Sequence, residues 1–363
     1  MGSSCYVKRR SKALRPDKRS TDLSDNDAAY GSVSLSSARR SPKRDGSQSE
    51  TRATQAPTRA ATRATRKSAV AATAADAMPT LSSPAKLIYP DIRATKRDVW
   101  HYYHAVMDHL LPQIVGRPLS IIRCPSGAEK PCFFQKHHTA GLERVSSVEL
   151  TEETAANAYY LVVEDALGLL ELVQFNALEF HPWGSHADRP GDADRVVFDL
   201  DPGPDVPFAE VGRAANDIRK LLAQVELESF LRVSGGKGLH VVVPLNPGCD
   251  WEVGKRFADA LAQAEPQRCI ATATKRLRTK RIFVDYLRNG PGTTAVASYS
   301  LRGRPGAPVA LPLAWSDLSK LQRADAFTLR DVPEKLRRRC KDPWAGMDRI
   351  QQNQARWAEQ DED

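Results

Sequence analysis

Between Leu87 and Trp344 the apolar positions follow two rhythms, and the switches between them mark the elements. In TKRDVWHYYHAVMDHLLPQI, Val99, Tyr103, Val106 and Leu110 recur at the spacing of one helical face, with Thr95 as N-cap and Pro112 as the expected end. PFAEVGRAANDIRKLLAQVEL repeats the pattern through Phe208, Val211, Ala215, Ile218 and Leu222, and WEVGKRFADALAQAEP predicts a further helix. Short apolar runs closed by turn residues predict strands in GRPLSIIRCPSG, RVVFDLDPG and RIFVDYLRN, and two more in FLRVSGGKGLHVVVPLN, joined around Gly235, Gly236 and Gly238. AYYLVVEDALGLLELVQFNALEFHPWGS predicts a hairpin, then a helix or strand stopped at Pro182 and Gly184. Strands interleaved with helices predict an α/β or α+β domain rather than a bundle.

The pattern is missing at the ends. Residues 1–80 are mainly Ser, Thr, Ala, Arg and Pro, too poor in large apolar side chains to offset the entropy of ordering, and predict a disordered tail. A folded domain is expected over 81–345, and a polar helical tail over 346–363. Charge follows the same division. Residues 1–80 hold 16 Lys/Arg and 7 Asp/Glu, and so carry the whole chain's formal +9, while the remainder balances 37 against 37. The basic excess therefore offers only weak, salt-sensitive attraction to nucleic acid, and a specific site must come from local clusters.

No stretch reaches membrane-spanning length, and MGSSCYVKRRSK lacks the apolar core of a secretory signal, so a cytoplasmic location without a membrane partner is expected. Tyr6 stands where a myristoylation signal favours Ser or Thr. The six cysteines show no C-x-x-C spacing, so reduced thiols are expected and zinc is not.

Three features carry chemistry. Asp199 and Asp201 end an apolar strand and, being two apart, face the same side, where their repulsion calls for a cation. Alone, the pair also fits an exposed strand end before a Pro-Gly turn. Ser234-Gly-Gly-Lys237-Gly-Leu-His240 joins two strands, with flexible glycines, a mobile charge and a hydroxyl suited to an anion, though without P-loop spacing. Asp285 lies within the apolar run RIFVDYLRN, where a lone carboxylate needs a partner. Together, three carboxylates and an anion loop fit phosphoryl transfer with paired divalent metals. Between Lys275 and Arg304 lie eight Lys/Arg and one acid. Of these, Arg276, Arg278, Lys280 and Arg281 suit a nucleic-acid backbone, and Arg288, Arg302 and Arg304 suit a triphosphate or template. Phe133 and Phe134, beside Lys136 and His137, suit stacking on an exposed base.

With these residues in place, the chain resembles the polymerase domain of bacterial ligase D, in the archaeo-eukaryotic primase superfamily, from about Leu87 to Trp344. LIYP, GRPLSIIRCPSG, CFFQKH, ALEFHPWGS, VVFDLDPG, SGGKGLHVVVPL, TKRLRTKRIFVDYLRN and ASYSLRGRPGAPVALPLAW carry the likeness by their order. The resemblance implies an α+β primase-like fold with an RNA-recognition-like catalytic sheet and an accompanying α/β lobe. It implies two Mn2+ or Mg2+ ions on Asp199, Asp201 and Asp285, and nucleotide contacts from Ser234, Lys237, His240 and His181. It places Lys86 and Lys96 at a 5′-phosphate and Phe133 and Phe134 at DNA. The implied activity is end and gap filling in non-homologous end joining, with ribonucleotides preferred. The implied partners are DNA ends or gapped duplex, nucleoside triphosphates, Ku and a separate ATP-dependent ligase. Lys43-Arg-Asp-Gly matches a ligase lysine pattern but has no surrounding domain. The alternatives are a de novo primase, which would start without a primer, a metal-dependent nuclease, and a non-catalytic nucleic-acid-binding protein.

Overall fold

The computed structural model describes residues 78–151, 158–249 and 252–353. Almost all of the expected 1–80 tail, Lys43 included, and residues 354–363 lie outside them. The first lobe contains β1 (Leu87–Tyr89), β2 (Ala94–Thr95), α1 (Lys96–Ile114), β3 (Pro118–Arg123), β4 (Phe133–Gln135), β5 (Ser146–Leu150), β6 (Ala158–Val162), α2 (Ala166–Gln174) and β7 (Ala177–Pro182). Its main sheet runs β4-β3-β6-β5, with β7 also paired to β3. Thr95 caps α1 through a reciprocal capping box with Asp98, as its spacing predicts. Pro112 does not end this helix. It sits in the last turn, where few following residues depend on the ladder, and α1 continues to Ile114. The expected hairpin after Ala158 is instead strand, helix, strand, and β6 pairs with the preceding β5. Short apolar runs do not distinguish these arrangements.

The second lobe contains β8 (Ala193–Pro202), α3 (Phe208–Gln224), β9 (Phe230–Val233), β10 (Leu239–Cys249), α4 (Glu252–Ala264), β11 (Cys269–Ile270), β12 (Ile282–Asp285), β13 (Leu311–Leu313) and α5 (Asp331–Arg338). Its six-stranded sheet runs β11-β12-β8-β10-β9-β13. The unit β8-α3-β9-β10-α4-β12 is a βαββαβ motif with strand order 4-1-3-2, the RNA-recognition-like sheet the resemblance implied.

Alternation gives this sheet two different faces. Val196, Phe198 and Leu200 of β8 join the core containing Val211, Ala214 and Ile218 of α3 and Phe257 of α4. Val197, Asp199 and Asp201 point the other way. On that second face Trp344 packs with Val197, Phe230 and Val242, and its indole donates to the Leu231 carbonyl at 2.9 Å. Trp344 thus covers one end of the face, and of the acids at the other Asp201 is the most exposed. The described part of the expected helical tail forms only a 3-10 turn, Met347–Arg349, before Gln352 donates to the Pro244 carbonyl at 2.6 Å.

Tyrosines join the lobes. Tyr89 donates to the Arg302 carbonyl at 2.8 Å and Tyr102 to the Tyr299 carbonyl at 2.7 Å. Tyr103 donates to the Leu178 carbonyl at 2.5 Å and accepts from the Leu301 amide at 3.0 Å. The 299–302 segment is therefore held by hydroxyls buried in the first lobe. Tyr103→Phe keeps the ring and orphans two buried backbone groups, and is expected to lower stability by about 1–3 kcal/mol. Urea unfolding that shifts the midpoint without changing the slope would verify this.

Candidate active site

Register brings the distant acids together. In the antiparallel pairing of β8 with β12, Asp199 stands opposite Asp285 and Phe283 opposite Asp201, while β10 sets His240 opposite Asp199 on the other side. Asp199, Asp285 and His240 thus form a row across three strands, with Asp201 one step along. Arginines answer their charge. Arg288 Nε lies 3.1 Å from Asp285 Oδ2 and 3.7 Å from Asp199 Oδ2, and Arg278 Nη1 lies 3.3 Å from Asp201 Oδ2. Burial would raise the Asp199 carboxyl, but His240, Arg288 and Arg302 outweigh it and hold it well below its ordinary range. Asp285 goes the other way. Its burial, with Asp199 adding repulsion, raises it despite Arg288.

Burial and the Arg232 charge lower His240 to about 4, so the ring is neutral at physiological pH. Arg232 Nη2 donates to His240 Nδ1 at 2.7 Å, which leaves the ring proton on Nε2, 3.3 Å from Asp199 Oδ1. His240 is thus turned to the acid rather than outward.

The SGGKG turn follows β9. Ser234 Oγ accepts from the Gly236 and Gly238 amides at 3.2 and 3.3 Å and donates to the Gly238 carbonyl at 2.9 Å. Its hydroxyl therefore closes the turn. A Cβ on Gly238 would stand 2.0 Å from the Leu200 carbonyl, so only glycine lets the turn lie against β8. Lys237 is exposed, and Arg302 and Arg304 approach the same turn at Gly236. Arg302 is buried, donating from Nη1 to the Ser234 carbonyl at 2.7 Å and from Nε to Glu179 at 2.8 Å. His181, also buried, meets the same Glu179 at 2.9 Å.

The remaining residues picked out in the sequence are more scattered. Phe133 and Phe134 are both exposed on β4, at 58% and 36%. Lys136 lies over the Tyr160 ring. Arg276 and Lys280 are exposed in the loop before β12, while Arg278 between them turns inward, its guanidinium 3.8 Å from the centre of the Phe283 ring. Lys86 donates to the Pro125 carbonyl, and Lys96 is buried, donating to the Gln174 carbonyl at 2.7 Å. Burial and then Lys86 lower the Lys96 amine to about 8. Glu179 and Arg232 are the functional candidates missed in the sequence. Each is an ionisable residue in an apolar run, ALEF and FLRV, the same signal that identified Asp285.

The cysteine expectation is corrected. Cys124 and Cys132 form a disulfide, because the turn between β3 and β4 returns the chain to within 4.4 Å, while Cys269 and Cys340 are free. Among the described residues, no three His, Cys, Asp or Glu side chains lie close enough together to hold a metal ion. Three hard carboxylate donors around one row still suit Mg2+ or Mn2+ in chemistry, and their crowding draws the cation that Arg288 supplies here.

A primase-like α+β domain with an acidic row on the open face of its sheet is the class these features define. The sequence model of a family described as LigD, primase-polymerase domain, matches residues 95–344. The chain belongs to that family. It is 38% identical over 281 residues to the multifunctional non-homologous end joining protein LigD of Pseudomonas aeruginosa, covering 76% of this chain and 33% of that protein. Against the bifunctional LigD of Bacillus subtilis it is 29% identical over 265 residues, covering 70% and 41%. The solved polymerase domain of Mycobacterium tuberculosis ligase D in complex with DNA matches with 33% identity and a TM-score of 0.67, covering 72% of this chain and 94% of that one. The chain spans about a third of the length of the first curated relative. Among the described residues, no helix is long and apolar enough to cross a membrane.

The lowered Lys96 pKa fixes a pH signature. Between about 8 and the ordinary 10.5 the folded chain binds fewer protons at this site than the unfolded chain, so stability rises with pH across that window. Lys96→Met should remove that part of the rise. Chemical unfolding of both proteins at intervals across the window reads the difference.

Proposed function

We propose that the domain is a metal-dependent nucleotidyltransferase that extends DNA 3′ ends at breaks and gaps during bacterial end joining, in the cytoplasm. The observation that carries this reading is the register that sets Asp199 opposite Asp285, with Asp201 on the same face and the SGGKG turn at the neighbouring strand end. Asp199, Asp201 and Asp285 would hold two divalent cations, Mn2+ or Mg2+, which when bound lower the pKa of a primer hydroxyl and neutralise the leaving pyrophosphate.

The chain's own groups do the rest. His240, held by Arg232, keeps a hydrogen-bond donor on Asp199 and orients that carboxylate. Lys237, Arg302 and Arg304 bring positive charge to one turn, where a triphosphate would be held, and Ser234 shapes that turn. His181 lies next to Arg302 through Glu179 and would meet the nucleotide. Phe133 and Phe134 are exposed for stacking on DNA, with Lys136, Arg276 and Lys280 along its backbone. Lys86 and Lys96 adjoin each other at the start of α1 and would bring two amines to a 5′-phosphate. Ribonucleotides are the expected substrates, and Ku and a separate ATP-dependent ligase the expected partners.

The test incubates the protein with Mn2+ and a duplex bearing a short gap and a downstream 5′-phosphate, following a labelled primer with ribo- and deoxyribonucleotides. Asp199→Ala should reduce extension by more than about a hundredfold, beyond what disturbing a metal site's surroundings causes. Synthesis without a primer would favour a de novo primase. Intact DNA binding with no extension would overturn the catalytic reading in favour of a binding role.

A further inference from the structure

A carboxylate buried in an apolar strand is tolerated only for what it holds, and Glu179 holds three donors. Its residue is 3% exposed. Oε2 accepts from Arg302 Nε at 2.8 Å and from His181 Nε2 at 2.9 Å, and Oε1 accepts the Gly303 amide at 2.8 Å. Burial pushes the carboxyl up, but Arg302, His181 and the Gly303 amide pull it down to about 2, so it stays ionised. Every one of these donors lies on a segment that approaches the triphosphate turn or belongs to the nucleotide contacts assigned above.

We propose that Glu179 is a positioning residue for the incoming nucleoside triphosphate, acting through Arg302 and His181; the inference rests on the nucleotidyltransferase reading. Arg302 is gripped on one edge by Glu179 and at Nη1 by the Ser234 carbonyl, 2.7 Å away, so the guanidinium has a single orientation beside Gly236. Tyr89 fixes the Arg302 backbone from the opposite lobe. His181 gives its Nε2 edge to Glu179, which turns its Nδ1 edge to the far side. The third bond sets the spacing between Arg302 and Arg304. A Cβ on Gly303 would stand 3.3 Å from Cys124 Sγ and 3.6 Å from Glu179 Oε1, so this backbone is pinned between the disulfide and the carboxylate. Glu179 thus sits behind the nucleotide groups and sets the direction of each.

A bolt that only joins the two lobes is the competing account, and Glu179→Gln separates the two. The glutamine keeps the shape but has one acceptor oxygen. With that oxygen toward Arg302 and His181, its NH2 opposes the Gly303 amide, and flipped it opposes the other two donors. The KM for UTP on the gapped duplex should rise about ten- to hundredfold, the range for a buried charged hydrogen bond, while kcat changes by less than about threefold. Duplex affinity should stay unchanged, and Glu179→Asp, which retains the charge, should fall between the two. An unchanged KM for UTP in folded Glu179→Gln overturns the proposal, as does a parallel loss of kcat, duplex binding and thermal stability in both variants. A wild-type protein that extends nothing contradicts the nucleotidyltransferase reading instead. Calorimetric titration with UTP and Mn2+ then tests Glu179 by itself, with at least about tenfold weaker binding by the glutamine variant expected and equal affinity overturning it.

Discussion

Repulsion between Asp199 and Asp285 is the constraint around which the second lobe is arranged. Antiparallel pairing fixes them on facing strands, and two unit charges about 5 Å apart repel by roughly 3 kcal/mol at an effective dielectric of 20. The protein compensates from several directions. Arg288 lies against both carboxylates, Arg278 reaches Asp201, and His240 donates to Asp199 under the hold of Arg232. The opposite responses of the two carboxyls follow from this arrangement. Asp199 has more positive neighbours and stays low, whereas Asp285 is dominated by burial and rises.

The same sheet face carries an apolar cover beside the acids. Trp344 closes the far end by packing on Val197, Phe230 and Val242, residues in the same alternation as the acids and His240. Beside it the 299–302 segment is gripped from the first lobe, by hydroxyl to backbone bonds of Tyr89, Tyr102 and Tyr103. Glu179 completes that junction and ties a strand of one sheet to an arginine that bonds the other. Fold and site therefore share their supports, and a change in the lobe junction reaches the SGGKG turn.

Much of this was legible in the sequence, for identifiable reasons. The period-two run in RVVFDLDPG fixed the face shared by Asp199 and Asp201, and the lone acid in RIFVDYLRN pointed to Asp285. Their direct pairing was not legible, because register between strands some eighty residues apart depends on tertiary packing. That the Ser234 hydroxyl closes its own turn was not legible, because short polar side chains find nearby amides only once the backbone has folded. Pro112 looked like a helix end because proline usually is one, yet in the last turn it is tolerated. Cys124 and Cys132 are eight residues apart, a spacing that says nothing about the turn that brings them together.

The central claim is that Asp199, Asp201 and Asp285 form one cation-binding centre serving a triphosphate. Electron paramagnetic resonance of Mn2+ titrated into the protein with a non-hydrolysable nucleoside triphosphate tests it most directly. The account predicts two bound ions per chain, with at least one lost in Asp285→Asn. No bound Mn2+ in the folded wild-type protein, or equal stoichiometry in the two, would contradict it.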